Sequence, residues 1–103
     1  MTDLNSGRTC LHLIVSTGES AMSDCLQQCC EGDSIVFLDV GVLHLLGSLE
    51  QSALPDNVNV CFSLEDLQAR GLLETANRQG VQVKDARAVA SLLLEHEHCL
   101  TWT

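Results

Sequence analysis

A chain of 103 residues with 46% hydrophobic residues and a mean hydropathy of +0.16 holds enough apolar material for one domain around one core, which excludes a disordered segment. The formal net charge is −9, from 14 acidic and 5 basic residues; the basic residues Arg8, Arg70, Arg78, Lys84 and Arg87 are scattered, which speaks against direct nucleic-acid binding. Aromatic residues make up 3% and Tyr is absent, so the core must be built from Leu, Val, Ile, Ala and Cys. A chain this short and apolar often hides part of its apolar surface against another subunit.

Residues 1–9 are polar, contain Gly7 and are expected to form a flexible arm ahead of a folded domain over residues 10–103. No basic segment followed by a long apolar stretch opens the chain, and its longest apolar runs, Leu11–Val15 and Ile35–Leu38, are too short to cross a membrane. A cytoplasmic protein with reduced thiols is therefore expected, although six cysteines in a secreted chain would suggest a disulfide framework.

Thr9–Val15 reads as a first strand. Ser16 and Glu19 have the spacing of a capping box, and a helix is expected over Ser20–Cys30, with Met22, Cys25, Leu26 and Cys29 on one face. Glu31-Gly32-Asp33 ends it, with Gly32 as a left-handed cap. Ser34–Leu38 is a continuous apolar run that suits a strand covered on both faces. A short helix over Gly41–Leu46, then a helix end and loop to Asn57, lead to a third strand at Val58–Phe62. Ser63 and Asp66 suit the start of another helix, which Arg70-Gly71 ends. Val81–Val83 reads as a strand, Asp85 as the cap of a helix with Val89, Leu92 and Leu93, and Cys99–Trp102 as a last strand. Short alternating strands and helices define an α/β fold with a largely parallel sheet.

Four groups of residues could carry chemistry. Cys25 and Cys29 lie one helical turn apart, with Cys30 beside them, and suit either persulfide handling or a role as small core hydrophobes. His96, His98 and Cys99 form a compact run of metal-ligand types, but lack the paired spacing of zinc sites; a solvated helix end is the alternative. His12 and His44 stand alone in apolar surroundings, as satisfied buried or interface histidines do. Ser16-Thr17-Gly18 lies where an α/β domain often binds anions, but Glu19 opposes that use. No phosphate-binding or dinucleotide fingerprint is present, and neither a cofactor nor a metal is expected.

Several stretches in order resemble the DsrH/TusB family. Leu11-His12 is similar to its opening strand. The segment from Cys25 through Glu31-Gly32-Asp33 to Gly41-Val42 resembles its helix, turn, apolar strand and Asp-Gly-Val motif, with Val40 in place of the Asp and Asp39 one position earlier. Asp66-Leu67-Gln68-Ala69-Arg70-Gly71 resembles its Asp-Leu-x-Ala-Arg-Gly stretch, and Val89–Leu94, His96 and Trp102 its last helix and tail. The resemblance covers residues 10–103 and implies a single-domain DsrE-like α/β/α sandwich with a small, largely parallel sheet.

It also implies a non-catalytic or sulfur-carrying subunit of a sulfurtransferase complex. The expected partners are DsrE/TusD-like and DsrF/TusC-like subunits in a heterohexamer that exchanges persulfide sulfur with a sulfur-carrier protein. Such a relay serves tRNA wobble-uridine 2-thiolation or sulfur oxidation. Members of the DsrH type carry a cysteine in the first helix, and Cys25 matches it counting back from Glu31-Gly32, so Cys25 is the candidate sulfur-accepting thiol. Cys29 and Cys30 match no family role. The oligomeric state in isolation is left open by the sequence; a lone subunit of this kind could self-associate through its partner surface. The alternative is a stand-alone thiol- or metal-binding module.

Overall fold

The structure is a computed structural model that describes residues 9–47, 54 and 56–103. Residues 1–8 of the expected arm and most of the loop before Asn57 lie outside the described residues. Five strands, β1 (Cys10–Ile14), β2 (Ser34–Phe37), β3 (Asn59–Ser63), β4 (Gln82–Lys84) and β5 (His98–Trp102), form one parallel sheet in the order β4-β3-β2-β1-β5. Helices α1 (Glu19–Gln28), α2 (Leu64–Ala69), α3 (Leu73–Gln79) and α4 (Ala86–Glu95) and a 3₁₀ helix at Asp39–Leu46 connect the strands. The α/β sandwich expected from the sequence is thus the fold observed.

The strands follow from their residues. β2 is the central strand and all four of its side chains are buried, as its continuous apolar run requires. Alternation then sorts the neighbours between two faces. Ile14, Ile35, Phe37 and Phe62 share the larger core with Met22 and Cys25 of α1, Val42 and Leu45 of the 3₁₀ helix, and Leu67 of α2. Phe37 and Phe62 are register partners and stack with ring centroids 4.6 Å apart. Leu11, Val36 and Cys61 face the other way, onto Leu92 of α4. Each fully buried large side chain contributes about 1.5–3 kcal/mol.

Two expected helix caps form. Ser63 Oγ accepts the Asp66 N–H, and Asp85 Oδ1 accepts the Ala88 N–H at 2.9 Å. The capping box at Ser16 does not: Gly18 is the N-cap of α1, and its N–H turns back onto Ser16 Oγ. The far end of α1 also differs from expectation. Cys29 is the C-cap, in an extended conformation, so the helix stops short of Cys30, and Gly32 takes its positive φ of 90° in the turn beyond. Helix α3 was not expected; its N-cap Leu72 offers no side-chain bond and Ala76 is its one buried residue, so neither cap nor periodicity marks it.

Gly41 fixes how the chain crosses the end of β1. A Cβ there would stand 2.0 Å from the Ile14 carbonyl oxygen, while the Leu38 N–H donates to that same oxygen at 3.0 Å. Gly41→Ala is expected to lower unfolding free energy by about 2–3 kcal/mol through this backbone clash. Gly80 has φ +73° and open space around a Cβ, so Gly80→Ala should cost only the left-handed penalty, about 1–2 kcal/mol. Urea unfolding of both variants checks the order.

Candidate functional site

The site begins with a carboxylate taken out of water. Asp33 follows the Glu31-Gly32 turn, immediately before β2, and its side chain is buried. Its oxygens accept three bonds: Oδ1 from the Cys10 N–H at 2.9 Å, Oδ2 from the Cys30 N–H at 3.0 Å and from His12 Nε2–H at 2.9 Å. Burial alone would raise the Asp33 pKa. The two backbone N–H groups and His12 outweigh it and hold the carboxyl below its ordinary value.

His12 lies in the middle of β1 and is fully buried. Trp102, at the end of neighbouring β5, donates its indole N–H to His12 Nδ1 at 3.0 Å, and the rings stack with centroids 6.1 Å apart. An indole N–H can only donate, so Nδ1 is the unprotonated nitrogen in this arrangement and the ring proton sits on Nε2, facing Asp33. Burial opposes protonation of His12, as does the Trp102 bond. The partners Cys29 and Asp33 favour it, and the net shift is upward from the ordinary 6.5.

Two thiols complete the cluster. Cys25 Sγ and Cys29 Sγ are 3.9 Å apart, and a His12 ring nitrogen and both sulfurs lie within 4.8 Å of one another. Cys25 is fully buried, whereas Cys29 is half-buried at the helix cap. A thiolate needs solvation or donors, so the charge of the pair belongs on Cys29, with Cys25 S–H donating to it. That bond, helped by His12 and opposed by burial, holds the Cys29 thiol well below the ordinary range. The same bond and burial push Cys25 up.

The remaining candidates separate from this centre. Cys30 is exposed, beyond the helix, with its sulfur near the Gln28 carbonyl. Burial pushes Cys61 up to about 11, and burial with the charge of Asp33 does the same to Cys10. His96 is not in the last strand: Nε2 pairs with Ser34 Oγ at 2.9 Å and Nδ1 with Thr9 Oγ1 at 2.7 Å, so both nitrogens are engaged. His98 and Cys99 are exposed on β5, and the run does not converge on a point. His44 Nε2–H donates to the Ser16 carbonyl at 2.9 Å, as a satisfied histidine does. Among the described residues, His12, Cys25 and Cys29 form the one cluster of metal-ligating types, and an ion there would have to displace Trp102 or Asp33 from His12.

Asp33→Asn should cost about 3 kcal/mol, because the amide replaces a charge that three donors satisfy. The sign with pH follows from the depressed pKa. The stabilisation is complete above the unfolded carboxylate value and is lost as pH falls through the lower folded value. His12 acts in the opposite sense, stabilising fully below 6.5 and losing that as pH rises through its raised value. Urea unfolding between about pH 2 and 9 should show the acid-side slope diminished in the variant.

A family model described as "DsrH like protein" matches residues 16–99, which include α1 with both thiols, Asp33, strands β2, β3 and β4 and the start of β5. No curated protein sequence matches the chain. With most of its length matched, this chain belongs to the DsrH family, whose members are subunits of sulfur-relay complexes.

Proposed function

We propose that this chain is a sulfur-carrying subunit of a cytoplasmic persulfide relay. Its partners are a DsrE/TusD-like and a DsrF/TusC-like subunit in a heterohexamer, which exchanges sulfur with a carrier protein. The sulfur serves tRNA wobble-uridine 2-thiolation or sulfur oxidation. The sulfur-accepting thiol belongs to the Cys25–Cys29 pair, in which Cys25 holds the position that the family resemblance marks. The observation that carries this reading is the pair itself: two thiols 3.9 Å apart, backed by a buried histidine–carboxylate couple, in a chain of a sulfur-relay family. Persulfide transfer needs a thiolate, and this cluster supplies one without an external base.

Surface chemistry supports assembly. Leu94 of α4 is 90% exposed and Leu93 beside it 48%, with Leu46 and Leu100 also exposed. Apolar residues this open on a small domain suit a subunit interface. The net charge of −9 suits a subunit that leaves any RNA to a partner.

Incubation of the reduced protein with a cysteine desulfurase and cysteine should add about 32 Da, one sulfur atom, to the peptide carrying Cys25 and Cys29. The double variant Cys25→Ser/Cys29→Ser should stay unmodified there. Absence of sulfur from every cysteine of the wild-type chain contradicts a carrier role and leaves a scaffold subunit. Leu94→Glu should change folding stability by no more than about 0.5 kcal/mol but reduce co-purification with the partner subunits. Undiminished co-purification places the interface elsewhere.

A second reading is a thiophilic metal ion on His12, Cys25 and Cys29, whose donor atoms lie within 4.8 Å of one another. Zinc binding would have to free a nitrogen of His12, so a zinc titration monitored by the fluorescence of Trp102, the single tryptophan, separates it from the thiol reading.

A further inference from the structure

We infer that Cys29 is the thiolate that attacks the incoming persulfide, and that Cys25 and the His12–Asp33 couple are positioning residues for it. This rests on the carrier reading and assigns the separate roles within its thiol pair.

Access decides first. A donor persulfide on another protein can meet only a sulfur that reaches the surface. Cys25 has no exposed area, while Cys29 is half-buried. The local backbone explains the difference. At Cys29 the chain leaves the helix with φ −68° and ψ 138°, although its N–H still bonds the Cys25 carbonyl at 3.0 Å. The helical φ keeps the Cys29 side chain on the Cys25 row, 3.9 Å from its sulfur, while ψ turns the following chain away so that the helix ends there.

Ionisation decides next. The titratable groups around Cys29 are Cys25 from α1, His12 and Cys10 from β1, and Asp33 ahead of β2. Cys25 S–H and His12 favour the thiolate; burial, Asp33 and the negative end of the α1 dipole oppose it. Asp33 is already saturated by three donors, one of them His12, so its charge is largely spent on them. The balance favours Cys29 as thiolate and Cys25 as thiol, with Cys25 unable to charge in its dry setting.

The step balances without an oxidant or reductant. Cys29 Sγ⁻ attacks the outer sulfur of a donor persulfide. The new Sγ–S bond forms as the donor's S–S bond breaks, and the donor cysteine leaves as a thiolate with the electron pair. The outer sulfur keeps its proton or releases it to solvent. Cys25, still protonated, is a poor nucleophile, so it does not expel the new sulfur as hydrosulfide by closing a Cys25–Cys29 disulfide.

The test uses the full chain, iodoacetamide and tandem mass spectrometry to resolve Cys25, Cys29 and Cys30, with persulfide loading in parallel. Alkylation of Cys29 should show an inflection clearly below the ordinary thiol value of about 8.5. In Cys25→Ala, Cys29 should remain the modified residue, with its inflection raised by about one pH unit or more and its loading at pH 7 slowed about tenfold. Cys29→Ser should accept no sulfur on Cys25. Sulfur or alkyl groups on Cys25 with Cys29 untouched overturn the assignment, as does an unchanged Cys29 inflection in Cys25→Ala. Low-pH alkylation of Cys29 with no sulfur on any cysteine overturns the carrier reading, while supporting Cys29 as the reactive thiol.

Discussion

Removing a carboxylate from water is expensive unless donors surround it, and Asp33 is where this protein meets that demand. Its three donors come from the start of β1, the turn after α1 and the His12 ring. Satisfying one side chain therefore ties together the two central parallel strands and the helix that crosses between them. Well-packed apolar groups in place of buried charges often serve stability equally well. What the carboxylate adds is position: it faces Nε2 of His12, and the opposite nitrogen is then available to Trp102, which joins β5 to the same network.

The chemistry of the site follows from that chain of contacts. A histidine bonded on both nitrogens cannot swing, so its charge and dipole are fixed relative to the two sulfurs. In a poorly hydrated site such fixed partners act strongly, and small differences in burial divide two identical thiols into unlike roles. Cys25 fills a core position among Ile14, Met22 and Ile35 while Cys29 reaches the edge of that cluster. On the proposed assignment, the two readings of these cysteines, core hydrophobe and reactive thiol, describe one member each. Family membership adds the setting, a sulfur-relay complex, in which such a division is useful.

Much of the fold was legible in the sequence because it depends on local signals. The apolar run Ser34–Phe37 marks a central strand, and Ser63 and Asp85 cap helices through bonds to the third residue on. Where two local signals compete, the reading fails: Ser16 and Glu19 have capping-box spacing, yet Gly18 takes the N-cap position. Helix α3 carries one buried residue and no side-chain cap, so no pattern announces it. The site was legible only in fragments. His12 read as a satisfied buried histidine, but its partners lie 21 and 90 residues away, where pattern gives no guidance. Cys25 could be singled out by family position, yet burial, which separates it from Cys29, depends on tertiary packing. The turn Gly32-Asp33 ahead of an apolar strand was the available signal for the carboxylate, and it read only as a helix stop.

The state of His12 governs the site, and two-bond ¹H–¹⁵N correlation spectra of the reduced protein would report it across a pH series. The expected result is a neutral ring with its proton on Nε2 at alkaline pH. A second proton should then arrive on Nδ1 at a pKa above 6.5, shifting the Trp102 indole N–H resonance as its acceptor is lost. A neutral ring protonated on Nδ1, or an indole resonance indifferent to the titration, would contradict the network on which the assignment of the two thiols depends.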